Sequence, residues 1–220
     1  MEGKSVSIVA MGVSQVDYTT ACASGFGVPP TDEVWAINAM GNVIHHDRMF
    51  MIDDIPACLG RLEAEGQNVA GIDAWLRKHP GPIYTSKVYP QYPGTVLYPL
   101  EEVVNSIGIP YLNNTVPFTV AFAIWKKVKE IVLYGCDFTY ANSHVGEGGR
   151  GNTEFLLSMA IARGINVRVA RNSNLMDNNV SRPFYGWKDP IIVGHEKGRY
   201  TITVADEAYM EKRRLLFRKF

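Results

Sequence analysis

A short apolar run that stops at a glycine is the feature that most constrains the fold of this chain. Glu130–Tyr134 (EIVLY) is rich in residues that favour extended backbone, and its length suits a buried strand. Gly135 ends the run, and the pair Asp137-Phe138 follows directly. The pattern predicts a buried strand that brings an acid to its carboxyl end, where open α/β sheets carry their chemistry.

A polar, glycine-rich stretch comes next. We predict a loop over residues 139–151, followed by a helix that Asn152 or Thr153 caps and that ends near Arg163. In the alternative interpretation the stretch is only a flexible connection, and the acid before it merely caps a turn.

The stretch also carries three side chains of interest for chemistry, Thr139, Tyr140 and His144. An acid, a phenol and an imidazole near one strand end are typical of an active site. An imidazole in a polar loop is often simply solvated, but its coincidence with the acid and the phenol favours function. The candidate catalytic residues are therefore His144, Tyr140 and Asp137.

Strand and helix patterns alternate along most of the chain, which predicts an α/β fold with a Rossmann-like, mostly parallel sheet and helices on both faces. Other predicted strands cover residues 6–11, 33–39, 48–52, 83–85, 96–98 and 165–170. Other predicted helices cover residues 56–65, 73–78, 99–107 and 116–128, and residues 19–31 are predicted as loop.

We predict one catalytic domain over residues 1–180, with a hairpin and a helix over 181–220 appended to it. Residues 181–190 are predicted as an aromatic loop, and the strands of the hairpin as 191–193 and 199–204. The last segment, 206–220, is predicted as an amphipathic helix that packs within the domain or in a homo-oligomer, with an acidic partner as the lesser option.

Charge and cysteine content narrow the class of protein. Lys plus Arg equals Asp plus Glu at 22 each, which argues against binding to nucleic acid driven by net charge alone. Three widely spaced cysteines form neither a disulfide framework nor a zinc motif. No apolar run is long enough for a membrane span or a signal peptide, so we expect a cytoplasmic protein.

Polar residues follow several of the predicted strands. Gly12 and Ser14 form a turn after the first strand that could present N–H groups to a phosphate, or could be a plain β-turn. Asn38 ends the second strand and Asp53-Asp54 the third. Paired acids can bind Mg²⁺, although capping of the next helix is the simpler interpretation.

Two further features concern anions and metals. Asn114 or Thr115 is the natural N-cap of an apolar helix whose positive dipole end would face an anion. His45-His46 has no further ligand at zinc spacing and is expected at the surface or at the rim of a site. We therefore predict no metal site in the leading interpretation.

The segment 115–140 resembles the small bacterial CMP-sialic-acid sialyltransferases. It also resembles a related group of domains of unknown function that includes 6-hydroxymethylpterin diphosphokinase-like and flagellin-glycosylation accessory proteins. The pattern is a Thr before a small apolar helix, then K-E-I-x-L-x-G-x-D-F. The matching residues are Thr115, Lys129-Glu130-Ile131, Leu133, Gly135 and Asp137-Phe138. Weaker matches extend over residues 4–178, at Gly12, Ser14, Asn38, Asp53, His144, Glu154-Phe155-Leu156 and Asn172-Ser173-Asn174-Leu175.

The resemblance implies a nucleotide-activated sugar across the strand ends and a metal-independent glycosyltransferase without a cofactor. In that scheme His144 is the general base and Tyr140 stabilises the leaving phosphate. The residues implied to hold the donor are Gly12, Ser14, Asn38, Asp53, Asn114, Thr115, Thr139, Asn172 and Ser173. The acceptor stays open, because a glycan, a lipid, a small molecule and a modified nucleic acid are all compatible with a neutral chain.

The chain departs from the family pattern in three places. The family's Gly-Asn-Gly-Pro-Ser turn is 10–14 (AMGVS) here, Thr139 stands where the sialyltransferases have Tyr, and Asp53 replaces an Asn. We therefore do not predict CMP-sialic acid as the donor.

Two other functions stay open at the level of sequence. The first is Mg²⁺-dependent phosphoryl transfer, with Asp53, Asp54 and Asp137 as ligands. The second is a non-catalytic nucleotide-binding module.

Overall fold

The computed structural model describes residues 2–25, 30–66, 69–139, 143–177, 191–196, 199–209 and 211. The chain divides into two compact units, Met1–Asp177 and Asn178–Phe220. Among the described helices, none combines the length and the apolar character that crossing a membrane requires.

The first unit contains a seven-stranded sheet in which every pairing is parallel. Its strands are β1 (Ser5–Val9), β2 (Glu33–Ile37), β3 (Arg48–Phe50), β4 (Ile83–Thr85), β5 (Thr95–Leu97), β6 (Glu130–Tyr134) and β7 (Asn166–Val169). Its helices are α1 (Val16–Ser24), α2 (Ile55–Ala64), α3 (Val69–Lys78), α4 (Leu100–Ile107), α5 (Thr115–Trp125) and α6 (Ser143–Ala162). This architecture confirms the predicted α/β class.

The spatial order of the strands is β5-β4-β3-β2-β1-β6-β7. The chain thus moves outward from β1 to β5, returns to place β6 beside β1, and moves outward again. Ile8 lies opposite Leu133 in the register of that central pair. The order reverses between β1 and β6, and in open α/β sheets ligands bind at such a point, beyond the carboxyl ends of the strands.

Helix α5 forms the centre of the core on one face of the sheet. Nine of its eleven residues are buried, because its sequence is apolar around nearly the whole circumference. Phe122 is fully buried and its ring meets those of Trp35, Phe50 and Tyr84. Burial of one such aromatic side chain stabilises a fold by about 1.5–3 kcal/mol.

The opposite face is covered in part by α1, whose Tyr18 packs edge-on against Tyr134. This helix is a correction, because residues 19–31 were predicted as loop. Its sequence, VDYTTACAS, is small and polar, and only Tyr18 in it is buried. The usual periodic apolar signal is therefore missing.

Helix α6 is the larger correction. It begins at Ser143, whereas the sequence predicted a loop as far as residue 151. Glycines weaken helices, but packing overrides that preference here. A Cβ on Gly149 would lie 2.6 Å from a ring carbon of Phe138, so the helix meets this ring only because it has a glycine there.

The second unit contains a separate antiparallel pair, β8 (Ile191–Glu196) and β9 (Arg199–Val204). The predicted hairpin is therefore confirmed, with a longer first strand. The loop at 181–190 and most of the helix predicted for 206–220 fall outside the described residues. That the hairpin belongs to the same domain stays a prediction, as does a homo-oligomer.

Candidate functional site

The carboxyl ends of β1 and β6 are joined by a network between Ser14 and Asp137. The Ser14 N–H donates to Asp137 Oδ2 at 2.7 Å, and the Ser14 hydroxyl donates to Oδ1 at 2.8 Å. The same hydroxyl oxygen accepts from the Gly135 N–H at 2.9 Å. One serine thereby satisfies both oxygens of the carboxylate and one buried backbone donor.

Two glycines make this approach sterically feasible. Gly135 has φ +64°, and a Cβ there would come within 2.0 Å of the Ala10 carbonyl oxygen. A Cβ on Gly12 would lie 2.6 Å from the Gly135 oxygen and 2.7 Å from the Asp137 carboxylate. The glycines after both strands are thus required because two backbones meet there.

The network determines which N–H groups of the turn after β1 can donate to a ligand. The N–H groups of Gly12, Ser14 and Gln15 donate to Gly135, Asp137 and Gly12 respectively. In this arrangement the N–H groups of Gly12 and Ser14 hold the turn in place instead of pointing to a ligand. The predicted donor-binding role of Gly12 and Ser14 and the catalytic role of Asp137 remain predictions, and the geometry adds a structural role for all three.

Asn38 lies at the carboxyl end of β2 in a left-handed backbone conformation, with φ +52°. Its Oδ1 is buried and has no hydrogen-bond partner in the described part of the chain. Leaving a buried polar atom unpaired costs about 1–3 kcal/mol. A strained residue with an unsatisfied buried atom at a sheet edge is a mark of a ligand site.

Asp53 and Thr115 bring the end of β3 together with the start of α5. The Thr115 hydroxyl donates a long hydrogen bond of 3.5 Å to Asp53 Oδ2. Asn114 is the N-cap of α5, and its side chain accepts from the Val116 N–H at 3.1 Å. An exposed carboxylate therefore stands beside the positive end of a helix dipole.

Asp54 acts as a helix cap, as the simpler interpretation of this acid pair predicted. Its side chain caps α2 by accepting from the Ala57 N–H, and it pairs with the Lys87 ammonium. These two contacts, the lysine first, lower the pKa of the Asp54 carboxyl. Within the described residues, no three His, Cys, Asp or Glu side chains are placed to share one metal ion.

His144 lies in the first turn of α6 and its side chain is exposed. Gly148 and Asn152 follow at four-residue steps, so the three residues share a helical face. On that face the Asn113 side chain donates to the Gly148 carbonyl at 3.0 Å, and Asn152 bonds the backbone of the same segment. Because Asn113 directly precedes the cap of α5, the face of α6 that begins with His144 contacts the segment that leads into α5.

The remaining donor-binding candidates are placed as follows. Thr139 is described and exposed, whereas Tyr140 falls outside the described residues. Asn172, just beyond β7, donates from its side chain to Asp17 of α1 at 2.7 Å. The Ser173 hydroxyl accepts from the Leu175 N–H at 3.2 Å, so Asn172 ties the loop to α1 and Ser173 bonds within the loop.

One pair of imidazoles was not anticipated. His45 is exposed as predicted, but His46 contacts the buried His79, with 3.0 Å between the two Nε2 atoms. His79 Nδ1 accepts from the Gly81 N–H, so Nε2 carries the proton of this ring and donates to His46. His46 Nδ1 can then donate to the Ile44 carbonyl. Burial, followed by the neighbouring ring, lowers the pKa of His79.

Sequence reasoning missed Asn152 and Asp17 as residues that fix the site. Asn152 was considered only as a helix cap, and Asp17 lay beside a segment predicted as loop. The paired amides Asn113-Asn114 before an apolar helix are the one signal that could have pointed to such a contact.

No protein-family model matches the chain, and a search of curated proteins gave no significant match. Among solved structures, the chain is similar to the sialyltransferase CstII from Campylobacter jejuni in complex with the substrate analogue CMP-3FNeuAc. That comparison gives 17% identity, covers 96% of this chain and 99% of that chain, and has a TM-score of 0.49. The sialyltransferase Cst-II in complex with a trisaccharide acceptor and CMP gives 16% identity, coverage of 95% and 98%, and a TM-score of 0.46. Because both scores fall below 0.5, the fold assignment rests on the strand order of this chain itself.

Proposed function

We propose that this chain is a glycosyltransferase that moves a sugar from a nucleotide-activated donor to a hydroxyl acceptor. In the step, the acceptor oxygen forms a bond to the anomeric carbon while the bond from that carbon to the phosphate oxygen breaks. The acceptor proton passes to the imidazole of His144, and the nucleotide leaves with the electron pair of the broken bond. No cofactor enters this scheme, and the co-substrate is the nucleotide sugar.

The observation that carries the proposal is the Asn38 amide. It stands at the carboxyl edge of the sheet with a buried oxygen that lacks a partner in the described part of the chain. Asn38 as a whole is half-buried, so a turn of its amide would bring this oxygen to a ligand hydroxyl or amino group, and nucleotides and sugars carry such donors. The left-handed backbone at this position fits a residue retained for binding at a cost in stability.

The leaving phosphate would lie at the N-terminus of α5. The donors here are the Thr115 hydroxyl and the Thr115 N–H, since Asn114 caps the Val116 N–H and Pro117 has none, and the helix dipole favours an anion at this end. We propose Tyr140 as a further donor to the developing charge. The negative charge of Asp53 would repel an anion at this position. The hydrogen bond from the Thr115 hydroxyl to Asp53 is long, at 3.5 Å, so the hydroxyl could donate to a better acceptor instead.

Mg²⁺-dependent phosphoryl transfer is less well supported by the contacts. It requires Asp53, Asp54 and Asp137 to converge on one cation. Asp137 accepts two hydrogen bonds from Ser14, and Asp54 is held by Lys87 and by the cap of α2. The donor set is thus spread over separate structural contacts.

The test is a calorimetric screen of nucleotides and nucleotide sugars, followed by a transfer assay with any sugar nucleotide that binds. We expect His144→Ala to bind the donor with unchanged affinity and to lose transfer, while the matched control His45→Ala, which also removes an exposed imidazole, keeps both. Unchanged turnover in His144→Ala would remove this residue from the mechanism.

Other outcomes decide between the alternatives. Binding without turnover on any acceptor would overturn the enzyme in favour of a binding module. Activity that a chelator abolishes and Mg²⁺ restores would favour phosphoryl transfer or a metal-dependent site.

A further inference from the structure

Asn152 forms a buried amide contact between two helices of the site. Its side chain is fully buried in α6. Its Oδ1 accepts from the Asn113 N–H at 3.0 Å, and its Nδ2 donates to the Tyr111 carbonyl at 2.8 Å. The amide therefore offers one acceptor and one donor to the backbone of residues 111–113, and both are satisfied.

The same segment is bonded to α6 a second time, one turn closer to the start of the helix. The Asn113 side chain donates to the Gly148 carbonyl at 3.0 Å. Together the three hydrogen bonds fix residues 111–113 along the face of α6 that begins with His144. Asn114 and Thr115 follow immediately, so these bonds also fix the N-terminus of α5 against α6.

Apolar packing already holds the two helices together further along. Leu156, Leu157 and Ala160 of α6 share one core cluster with Val116 and Val120 of α5. An amide in this position is not needed for burial, and burial of a polar group gives little net stability even when it is fully bonded. What an amide adds is a fixed register, since its bonds are satisfied in only one alignment.

We propose that Asn152 is a positioning residue that sets the distance between the His144 imidazole and the phosphate-binding end of α5. The inference rests on the proposed function. An acceptor hydroxyl must lie between a base and an anomeric carbon whose leaving phosphate is held at α5, so a shift of α6 along residues 111–113 would misalign the reacting atoms. Misplacement by about 1 Å can cost roughly 100-fold in rate.

Two variants break the contact at different points. Asn152→Asp replaces the donor to the Tyr111 carbonyl with an oxygen that repels it, which pushes residues 111–113 away from α6 and so also weakens the bond from the Asn113 N–H. Asn113→Ala removes only the bond to Gly148 and alters an exposed side chain, so its fold is preserved. The matched control is Thr153→Val, which removes a buried hydrogen bond to the Gly149 carbonyl in the same helix without touching residues 111–113.

We expect kcat to fall by roughly 10- to 100-fold in Asn152→Asp and Asn113→Ala, with the donor Kd from calorimetry changed less than about threefold. Hydrogen exchange at the Asn113 amide should accelerate in Asn152→Asp, and Thr153→Val should keep both kcat and this exchange rate. A kcat in the two variants equal to that of Thr153→Val would overturn the proposal, as would an Asn113 amide that exchanges no faster in Asn152→Asp. A wild-type chain without transfer activity would instead overturn the proposed function, and the exchange measurement would then still test the contact itself.

Discussion

Ser14 donates to both carboxylate oxygens of Asp137, across 123 residues of sequence. The contact joins the two strands between which the strand order reverses. It gives Asp137, the central carboxyl of the sequence-based hypothesis, a structural role, because its side chain holds the first turn against the β6 loop.

Ser14→Ala should lower the free energy of unfolding by about 1–3 kcal/mol, because it leaves Asp137 Oδ1 and the buried Gly135 N–H without a partner. Urea denaturation measures the change. The control Ser24→Ala removes an exposed hydroxyl that bonds only within α1, and should stay within about 0.5 kcal/mol of wild type. Equal effects of the two substitutions would contradict the importance assigned to this contact.

Gly135→Ala should destabilise the protein by more than about 3 kcal/mol, because the new methyl group would meet the Ala10 carbonyl at a position with positive φ. Gly60→Ala is the matched control. It lies inside α2, has nothing within 4 Å of the added Cβ, and should gain about 0.5–1 kcal/mol. Thermal unfolding of both variants measures this, and a folded Gly135→Ala protein of native stability would show that the two backbones can separate.

Asn38→Gly should weaken donor binding about tenfold or more and change stability by less than about 1 kcal/mol. Glycine relieves the left-handed conformation and removes the unpaired buried oxygen together with the group proposed to bind the ligand. Lys127→Gly is the control, because Lys127 has the same φ of +52° but follows the carboxyl end of α5. Calorimetry should show a lower affinity for the donor in Asn38→Gly than in Lys127→Gly. An undiminished affinity in Asn38→Gly would remove Asn38 from the site.

Stability should fall as the pH drops below about 6.5, because the pKa of His79 is lower in the folded protein than in the unfolded chain. A depressed histidine pKa means that the unfolded state takes up protons first, so stability is full above the unfolded value and declines toward and through the folded one. A proton on His79 Nδ1 also removes the acceptor of the Gly81 N–H.

Urea midpoints at pH 8 and pH 5.5 test this pH dependence. His79→Leu should be less stable at both values, because the Gly81 N–H loses its acceptor, but should lose less between them. His45→Ala should keep the wild-type difference. A wild-type protein with equal free energies of unfolding at both pH values would show that the His46–His79 pair does not make stability depend on pH.

The parallel sheet could be predicted from sequence because its strands carry their own signal. Glu130–Tyr134 was predicted with the observed bounds, and most other strands to within a few residues. Apolar, β-branched residues in short runs depend little on which neighbour they meet. The local sequence pattern therefore predicted the sheet and the carboxyl edge of the sheet, on which the candidate residues lie.

Helix α6 and the contacts of the candidate residues could not be predicted in the same way. From the sequence alone, Gly149 indicates a loop, and only its contact with the Phe138 ring explains a glycine inside a helix. From the sequence alone, Asn152 is predicted as a helix cap, and its contact with residues 111–113 becomes apparent only in the folded chain. Asp53 and Asp54 are adjacent and chemically alike, yet Lys87 engages only the second. Each of these outcomes depends on a partner distant in sequence.

The pairing of β1 with β6 also has a consequence during synthesis. β1 is made first and can pair with β2 as soon as residues 33–37 leave the ribosome, but its other side stays unpaired until Tyr134 has been made. An unpaired apolar strand is prone to associate with other chains, so the nascent chain carries this hazard while residues 38–134 are made. β6 and β7 then cover the open side of β1 and complete the seven-stranded sheet.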